Sequence, residues 1–118
     1  MYDWLFVIGA EEKKLDAAKK QIVESGLVKK LVKASFFEVD RVFEERDIDY
    51  MVVDETALGY AAVCQLAKQN PITQVVLVAD VLLEVLEGVV DYRIPFDYNR
   101  NDVDDLVEKI KAEKILEH

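Results

Sequence analysis

Apolar and polar positions along the chain predict buried strands that alternate with amphipathic helices. Short continuous apolar runs, WLFVI at 4–8 and QVVLVA at 74–79, are typical of strands covered on both faces of a sheet. Between such runs, apolar residues recur at helical spacing, and Leu15, Ala18 and Ile22 form one such stripe. The two periods follow each other along the whole chain, so we expect a mixed α/β fold.

The order of the predicted elements defines the topology. Strands are predicted at 4–8, 27–34, 50–53, 74–79 and 89–94, and helices at 11–25, from 35 onward, at 57–69, 80–87 and 101–114. Such alternation with short connections predicts parallel strands, right-handed crossovers and helices on both faces. We therefore predict a flavodoxin-like three-layer sandwich over 1–115, a single domain with a five-stranded parallel sheet of order 2-1-3-4-5.

Finer signals locate an edge strand and several helix ends. The run LVKKLVKA at 27–34 carries three lysines, which is typical of an edge strand protected from pairing. Ser35 and Glu38 form a capping-box pattern, and Asn101 is a candidate cap for the final helix. Asp80 is predicted to cap the helix at 80–87 in the same way.

Composition narrows the classes of partner. The chain has 118 residues, of which 52% are hydrophobic, and a formal net charge of −9. That charge opposes binding to phosphate backbones and anionic lipid, and no apolar run reaches the roughly 20 residues of a membrane span. Cys64 is the only cysteine, which fits a reducing compartment. We expect a cytoplasmic chain that contacts protein rather than nucleic acid or membrane.

Much enzyme chemistry has no counterpart in the sequence. Residues 116–118 (Leu-Glu-His) are typical of an expression-tag remnant, and without them the chain has no histidine. Ser-His and Cys-His nucleophiles and histidine metal sites are therefore excluded. The four glycines are scattered and match neither a Walker loop nor a G-x-G-x-x-G turn. We assign no catalytic residues and expect a protein that is not an enzyme.

Three features together resemble a known family. Asp54 ends the third predicted strand, Gly59 opens the third helix, and DYRIPF at 91–96 joins the last strand to Pro95. In this order they resemble the CheY-like receiver domain of two-component response regulators, along nearly the whole chain. The resemblance makes Asp54 the candidate phospho-acceptor, assisted in that family by Mg²⁺ on an acidic pair, by a Ser or Thr, and by a lysine.

Four positions depart from the pattern of that family. Gly9 and Ala10 stand where the resemblance places the acidic pair, Val78 stands at the Ser or Thr position, and Ile94 replaces the lysine. Those groups neutralise charge on the transferred phosphoryl group, so without them Asp54 lacks its electrostatic partners. We therefore favour a degenerate pseudo-receiver that binds no cofactor and acts by protein–protein interaction.

Three alternatives remain open at the level of sequence. An active receiver could hold Mg²⁺ with Glu11, Glu12 and Asp54. The chain could instead be an unrelated flavodoxin-like regulatory subunit, such as one of a rotary ATPase, or a small-molecule-binding enzyme of the same fold.

The segment 80–87 suggests an interface. It is more apolar than a short surface helix requires, because only about three of its apolar residues can face the sheet. Leu82, Leu83, Leu86 and Tyr92 are the interface candidates. The resemblance implies dimerisation through the fourth predicted helix, the last strand and the final helix, so a second copy is a candidate partner. The alternative is an irregular, fully buried segment.

Overall fold

The computed structural model describes residues 1–116, which form alternating strands and helices. These are β1 (Tyr2–Val7), α1 (Asp16–Glu24), β2 (Val28–Ala34), α2 (Val39–Glu45), β3 (Tyr50–Asp54), α3 (Tyr60–Ala67), β4 (Gln74–Val78), β5 (Tyr92–Ile94) and α4 (Arg100–Leu116). Two 3₁₀ turns, Phe36–Glu38 and Glu84–Leu86, lie between them. Residue 116 ends α4, and the rest of the expected tag remnant, 117 and 118, lies outside the described residues.

The sheet confirms the predicted fold class. Its five strands are all parallel and run in the order β2-β1-β3-β4-β5. Alternate side chains of each strand enter two separate cores. Trp4 and Val52 pack in the core beneath α1 and α4, whereas Leu5 and Val53 pack in the core beneath α2 and α3. Because both faces are covered, the central strands are continuous apolar runs.

The fold brings the carboxyl ends of the strands to one edge of the sheet. Asp54 of β3 lies opposite Val78 of β4, which in turn lies opposite Ile94 of β5. β1 lies between β2 and β3, so the loop after β1, which begins at 8, adjoins Asp54. This is the point at which the strand order reverses, where sheets of this class place their sites.

The predicted helix at 80–87 is wrong. The segment is extended around a single 3₁₀ turn, with Leu83 at ψ 142° and Glu87 at ψ 128°. Asp80 does not cap a helix, because its Oδ1 accepts a hydrogen bond of 3.0 Å from the Phe96 N–H. That contact holds the start of the segment against the loop after β5. The last strand is consequently shorter than predicted and begins at Tyr92.

Several helix ends also differ from the prediction. Residues 11–15 form turns, and α1 begins only at Asp16. The capping box of Ser35 and Glu38 is confirmed, although it opens a 3₁₀ turn that leads into α2. Asn101 is not the cap of α4. Asn99 and Asp102 exchange reciprocal backbone-to-side-chain hydrogen bonds of 2.9 and 3.0 Å there, which satisfy the free N–H groups of the first turn.

The helices in the described part of the chain are too short or too polar to span a bilayer. Helix α4 is the longest, with 17 residues, and it carries charged residues along its length.

Candidate functional site

Asp54 is a fully buried carboxylate whose two oxygens have different environments. Oδ1 accepts hydrogen bonds from the Thr56 N–H at 2.7 Å and from the Thr56 hydroxyl. Oδ2 is buried and has no hydrogen-bond partner in the described part of the chain. The turn from Asp54 to Thr56 is thus closed by hydrogen bonds to the Asp54 side chain, and one of the two carboxylate oxygens is already engaged.

Gly9 packs directly against this carboxylate. A Cβ at position 9 would lie 2.5 Å from Thr56 Oγ1 and 2.8 Å from Asp54 Oδ1. The Ala10 N–H donates to the Thr56 carbonyl at 3.3 Å, which ties the loop after β1 to the same turn. Position 9 is the first of the two at which the resemblance expects an acid. In this structure it has no room for a side chain.

The other two substituted positions carry no polar side chain toward Asp54. Val78 and Ile94 are both buried in the core beneath α1 and α4. Arg93 lies on the opposite face of β5, and its Nη1 donates to the carbonyls of Ala79 and Asp80 at 3.2 and 3.0 Å. The arginine next to Ile94 is thus a structural tie for the loop after β4 and takes no part in the environment of Asp54.

Glu11, Glu12 and Asp54, the residues considered for a metal site, differ in their exposure to solvent. Within residues 1–116 no group of three or more acidic, histidine or cysteine side chains is placed to hold a metal ion. The physical reason is local: Glu11 and Glu12 lie on an exposed turn ahead of α1, whereas Asp54 is buried beneath Gly9 and Thr56.

A cavity of about 130 Å³ adjoins Asp54, and we call it the Asp54 cavity. Its lining comes from the end of β1, the turns ahead of α1, the first turns of α1, β2 and β3. The residues are Phe6, Val7, Ile8, Gly9, Glu11, Glu12, Leu15, Asp16, Lys19, Lys33 and Asp54. Acidic and basic groups from different elements therefore face one small space.

Two lysines of this cavity are close enough to perturb each other. The Lys33 ammonium group, together with partial burial, lowers the pKa of Lys19, and Asp16 acts in the opposite direction. Lys19 Nζ lies 3.8 Å from Asp16 Oδ1. Sequence reasoning missed this pair, because Lys19 belongs to α1 and Lys33 to β2, and only the packing of α1 against the sheet brings them together.

The aromatic loop after β5 is held by a third lysine. Lys14 Nζ lies 3.8 Å from the centroid of the Phe96 ring and 3.2 Å from Asp97 Oδ1. The Tyr98 hydroxyl donates to the Lys14 carbonyl at 2.6 Å. The features that resemble a receiver domain at 91–96 are thus fastened to the turns ahead of α1.

The interface candidates separate into two groups. Leu83 is exposed and Leu82 is half-buried, so both lie at the surface. Leu86 and Tyr92 are buried and cannot contact a partner directly in this structure, which corrects their assignment. Leu86 fills the core beneath α3, and the Tyr92 hydroxyl donates to Glu113 of α4.

Comparisons with solved structures agree with the fold. A CheY-like receiver domain from Methylobacillus flagellatus has a TM-score of 0.74 and 13% identity, over 93% of this chain and 98% of that one. A DNA-binding response regulator of the LuxR family from Staphylococcus aureus has a TM-score of 0.72 and 16% identity, over 95% and 98%. The receiver domain of a DNA-binding response regulator from Colwellia psychrerythraea 34H has a TM-score of 0.70 and 14% identity, over the full length of both chains.

No model of a known protein family matches the chain, and no curated protein matches it. The likeness to solved structures therefore establishes the fold, which is that of the CheY-like response regulator receiver domain.

Proposed function

We propose that this chain is a receiver-type signalling domain of the two-component class that acts by protein–protein contact and does not use phosphorylation of Asp54. The receiver fold supports the class. The environment of Asp54 supports the proposal that this residue is not phosphorylated. Asp54 is fully buried, accepts hydrogen bonds from both donors of Thr56 and is covered by Gly9.

Electrostatics explain why such an aspartate is a poor acceptor. A carboxylate that attacks an anionic phosphoryl donor needs cations or hydrogen-bond donors to neutralise the developing charge. Gly9, Ala10, Val78 and Ile94 supply no such group from their side chains. A phosphoryl group on Asp54 would add negative charge to a buried site that already lacks a partner for Oδ2. The domain in this proposal is not an enzyme and needs no Mg²⁺.

Exposed apolar residues supply a surface for a protein partner. Val81, Leu83 and Val85 lie on the segment between β4 and β5, with 65%, 39% and 60% of their surface exposed. Neighbouring apolar residues at a surface are typical of protein interaction sites. We place the contact here, with a second copy of the chain as the first partner to test, and the net charge of −9 disfavours nucleic acid and anionic membranes.

Amide NMR spectra with and without Mg²⁺ and beryllofluoride test the absence of a phosphorylation switch. Beryllofluoride mimics the phosphorylated aspartate, so we expect no shift at Asp54 or Ala79 beyond those seen with Mg²⁺ alone. An Asp54→Ala variant provides the matched control. Large beryllofluoride shifts that vanish in Asp54→Ala would contradict the proposal and establish an active acceptor.

A further inference from the structure

The buried end of Asp54 lacks a hydrogen-bond partner. Oδ1 takes both donors of Thr56, and no residue between 1 and 116 donates to the buried Oδ2. A buried carboxylate oxygen without a donor is energetically costly. Asp54 lines the Asp54 cavity, so a molecule bound there with an N–H or O–H group is the nearest source of the missing donor outside the chain.

The lysine pair gives the same cavity a positive region. Lys33 is exposed and forms no ion pair with the described residues, while Lys19 is half-buried beside it. Two adjacent ammonium groups repel each other, and a small anion placed between them removes that repulsion. The acid group of a ligand is therefore favoured next to these lysines.

Strand register separates the two charged regions. Phe6 of β1 lies opposite Lys33 of β2 on one side and opposite Val52 of β3 on the other. Asp54 follows Val52 by two residues on β3. The cavity therefore spans β1, with lysine on the β2 side and carboxylate on the β3 side; two strand spacings across the sheet and two residues along β3 separate their backbones by about 12 Å. Long lysine side chains shorten this distance at the level of the charged groups.

The size and remaining lining of the cavity define the class of ligand. A volume of about 130 Å³ holds roughly four water molecules, which corresponds to a compact organic molecule. Phe6 and Leu15 provide an apolar floor, and Glu11 and Glu12 add negative charge at the exposed mouth. A zwitterion matches this arrangement better than a dianion does, because its positive end meets Asp54 and the glutamates.

We propose that the Asp54 cavity binds a small α-amino acid, with the ammonium group on Asp54 Oδ2 and the carboxylate between Lys19 and Lys33. This goes beyond the proposed signalling function and is tested without a phosphodonor. In this arrangement the position that serves as an acceptor in receiver domains would instead sense a metabolite.

The test is an amide NMR titration with glycine, L-alanine and L-serine at millimolar concentrations. We expect shifts at Gly9, Lys33 and Asp54. Acetate and methylamine each carry only one end of the zwitterion, so each is expected to bind at least about tenfold more weakly than the best amino acid. Inorganic phosphate serves as the probe for simple anion binding by the lysines.

Two variants and one matched control identify the residues. Lys33→Gln and Asp54→Asn are each expected to weaken amino-acid binding by about tenfold or more, because each removes one charge-assisted contact. Lys29→Gln makes the same charge change on the same strand outside the cavity and is expected to leave binding unchanged. Lys33 is exposed, so its replacement keeps the test valid even where Asp54→Asn fails to fold.

Several outcomes would overturn the proposal. An absence of shifts with all three amino acids excludes the site. Acetate or phosphate could bind as strongly as the amino acids do. If that binding were lost in Lys33→Gln but kept in Asp54→Asn, the cavity would be an anion site made by the lysines alone. Equal binding by Lys33→Gln and wild type would place the ligand elsewhere.

Discussion

Gly9 is required by the side chains it touches and not by its backbone conformation. Gly26, Gly59 and Gly88 have positive φ angles, whereas Gly9 does not. In Gly9→Ala, the new methyl group would meet Thr56 Oγ1 and both oxygens of Asp54 within 3.0 Å. We expect the free energy of unfolding to fall by about 1–3 kcal/mol, as is typical of overpacking, measured by urea denaturation.

Whether Gly9→Ala lowers or raises the free energy of unfolding shows whether the side chains around Gly9 can move. At a site without a clash, replacing glycine by alanine stabilises a protein by about 0.4–1 kcal/mol, because it restricts the unfolded chain. A Gly9→Ala variant as stable as wild type or more so would therefore show that the Asp54 and Thr56 side chains can move aside. The double variant Gly9→Ala with Thr56→Ala removes the closest contact and is expected to recover part of the loss.

The Tyr92 hydroxyl makes stability sensitive to alkaline pH. Burial, and then its hydrogen bond to Glu113, raises the pKa of Tyr92 above its usual value of about 10. A phenol whose pKa is higher in the folded state stabilises the protein fully below the unfolded pKa. That stability is lost as pH rises above about 10, by up to about 1.4 kcal/mol per pH unit.

Comparison with Tyr92→Phe isolates the contribution of this group to the pH dependence of stability. At neutral pH the variant is expected to be about 1 kcal/mol less stable, because Glu113 loses its donor. Urea unfolding of both proteins at rising pH should show the gap narrowing above about pH 10. A gap that stays constant would contradict the raised pKa of Tyr92.

At the scale of single residues, the sequence predicts where a residue lies in the fold better than it predicts which side chains that residue contacts. It placed Asp54 at the end of β3 and identified the four substituted positions around it. It gave no role to Thr56, because a threonine two residues after an aspartate is common in turns, and only the fold shows that it bonds the acid. The Lys19–Lys33 pair was missed for the same reason, since it depends on tertiary structure.

At the scale of the element, the segment 80–90 shows where pattern reasoning fails. The apolar composition of this segment suits a helix. In the structure, however, Leu86 is fully buried, whereas Val81 and Val85 remain exposed. The hydrogen bond from Phe96 to Asp80 and the bonds from Arg93 to Ala79 and Asp80 are long-range. Such contacts override local helical preference, and no periodicity in the sequence reports them.

The pair Leu86→Ala and Val85→Ala tests this description of the segment. Leu86 is fully buried, so truncation is expected to cost about 2–5 kcal/mol of unfolding free energy. Val85 is exposed on the 3₁₀ turn, so its truncation is expected to change stability by less than about 0.5 kcal/mol. Thermal or urea denaturation measures both. Stabilisation by Val85→Ala, together with helical backbone chemical shifts over 81–87, would instead support the helix expected from sequence.

At the scale of the whole molecule, the sequence predicted the architecture well. Doubly buried strands have a distinct signature, since Leu5, Val53 and Leu77 supply one core while Phe6, Val52 and Val76 supply the other. Once five such runs alternate with helices, right-handed crossovers leave few topologies. The site could not be predicted to the same extent, because its groups come from four elements and their contacts depend on register.

Cys64 provides a probe of how the whole molecule opens. It is the only cysteine, lies on α3 and is fully buried in the core beneath α2 and α3. Burial raises its pKa to about 12, so the reactive thiolate is scarce in the folded protein. We expect a thiol reagent at mildly alkaline pH to modify Cys64 only when the core opens, at a rate that follows the equilibrium unfolding free energy as urea is added.

A neighbouring position on the same helix supplies the control. Gln65 is exposed, so Gln65→Cys in a Cys64→Ala background should react at least about a thousandfold faster than native Cys64, given the stability of ordinary small domains. Rates for the two thiols within about tenfold of each other would contradict the unfolding of the domain as one cooperative unit. Such a result would show that α3 detaches while the sheet stays folded, because only local opening exposes Cys64 without the free-energy cost of global unfolding.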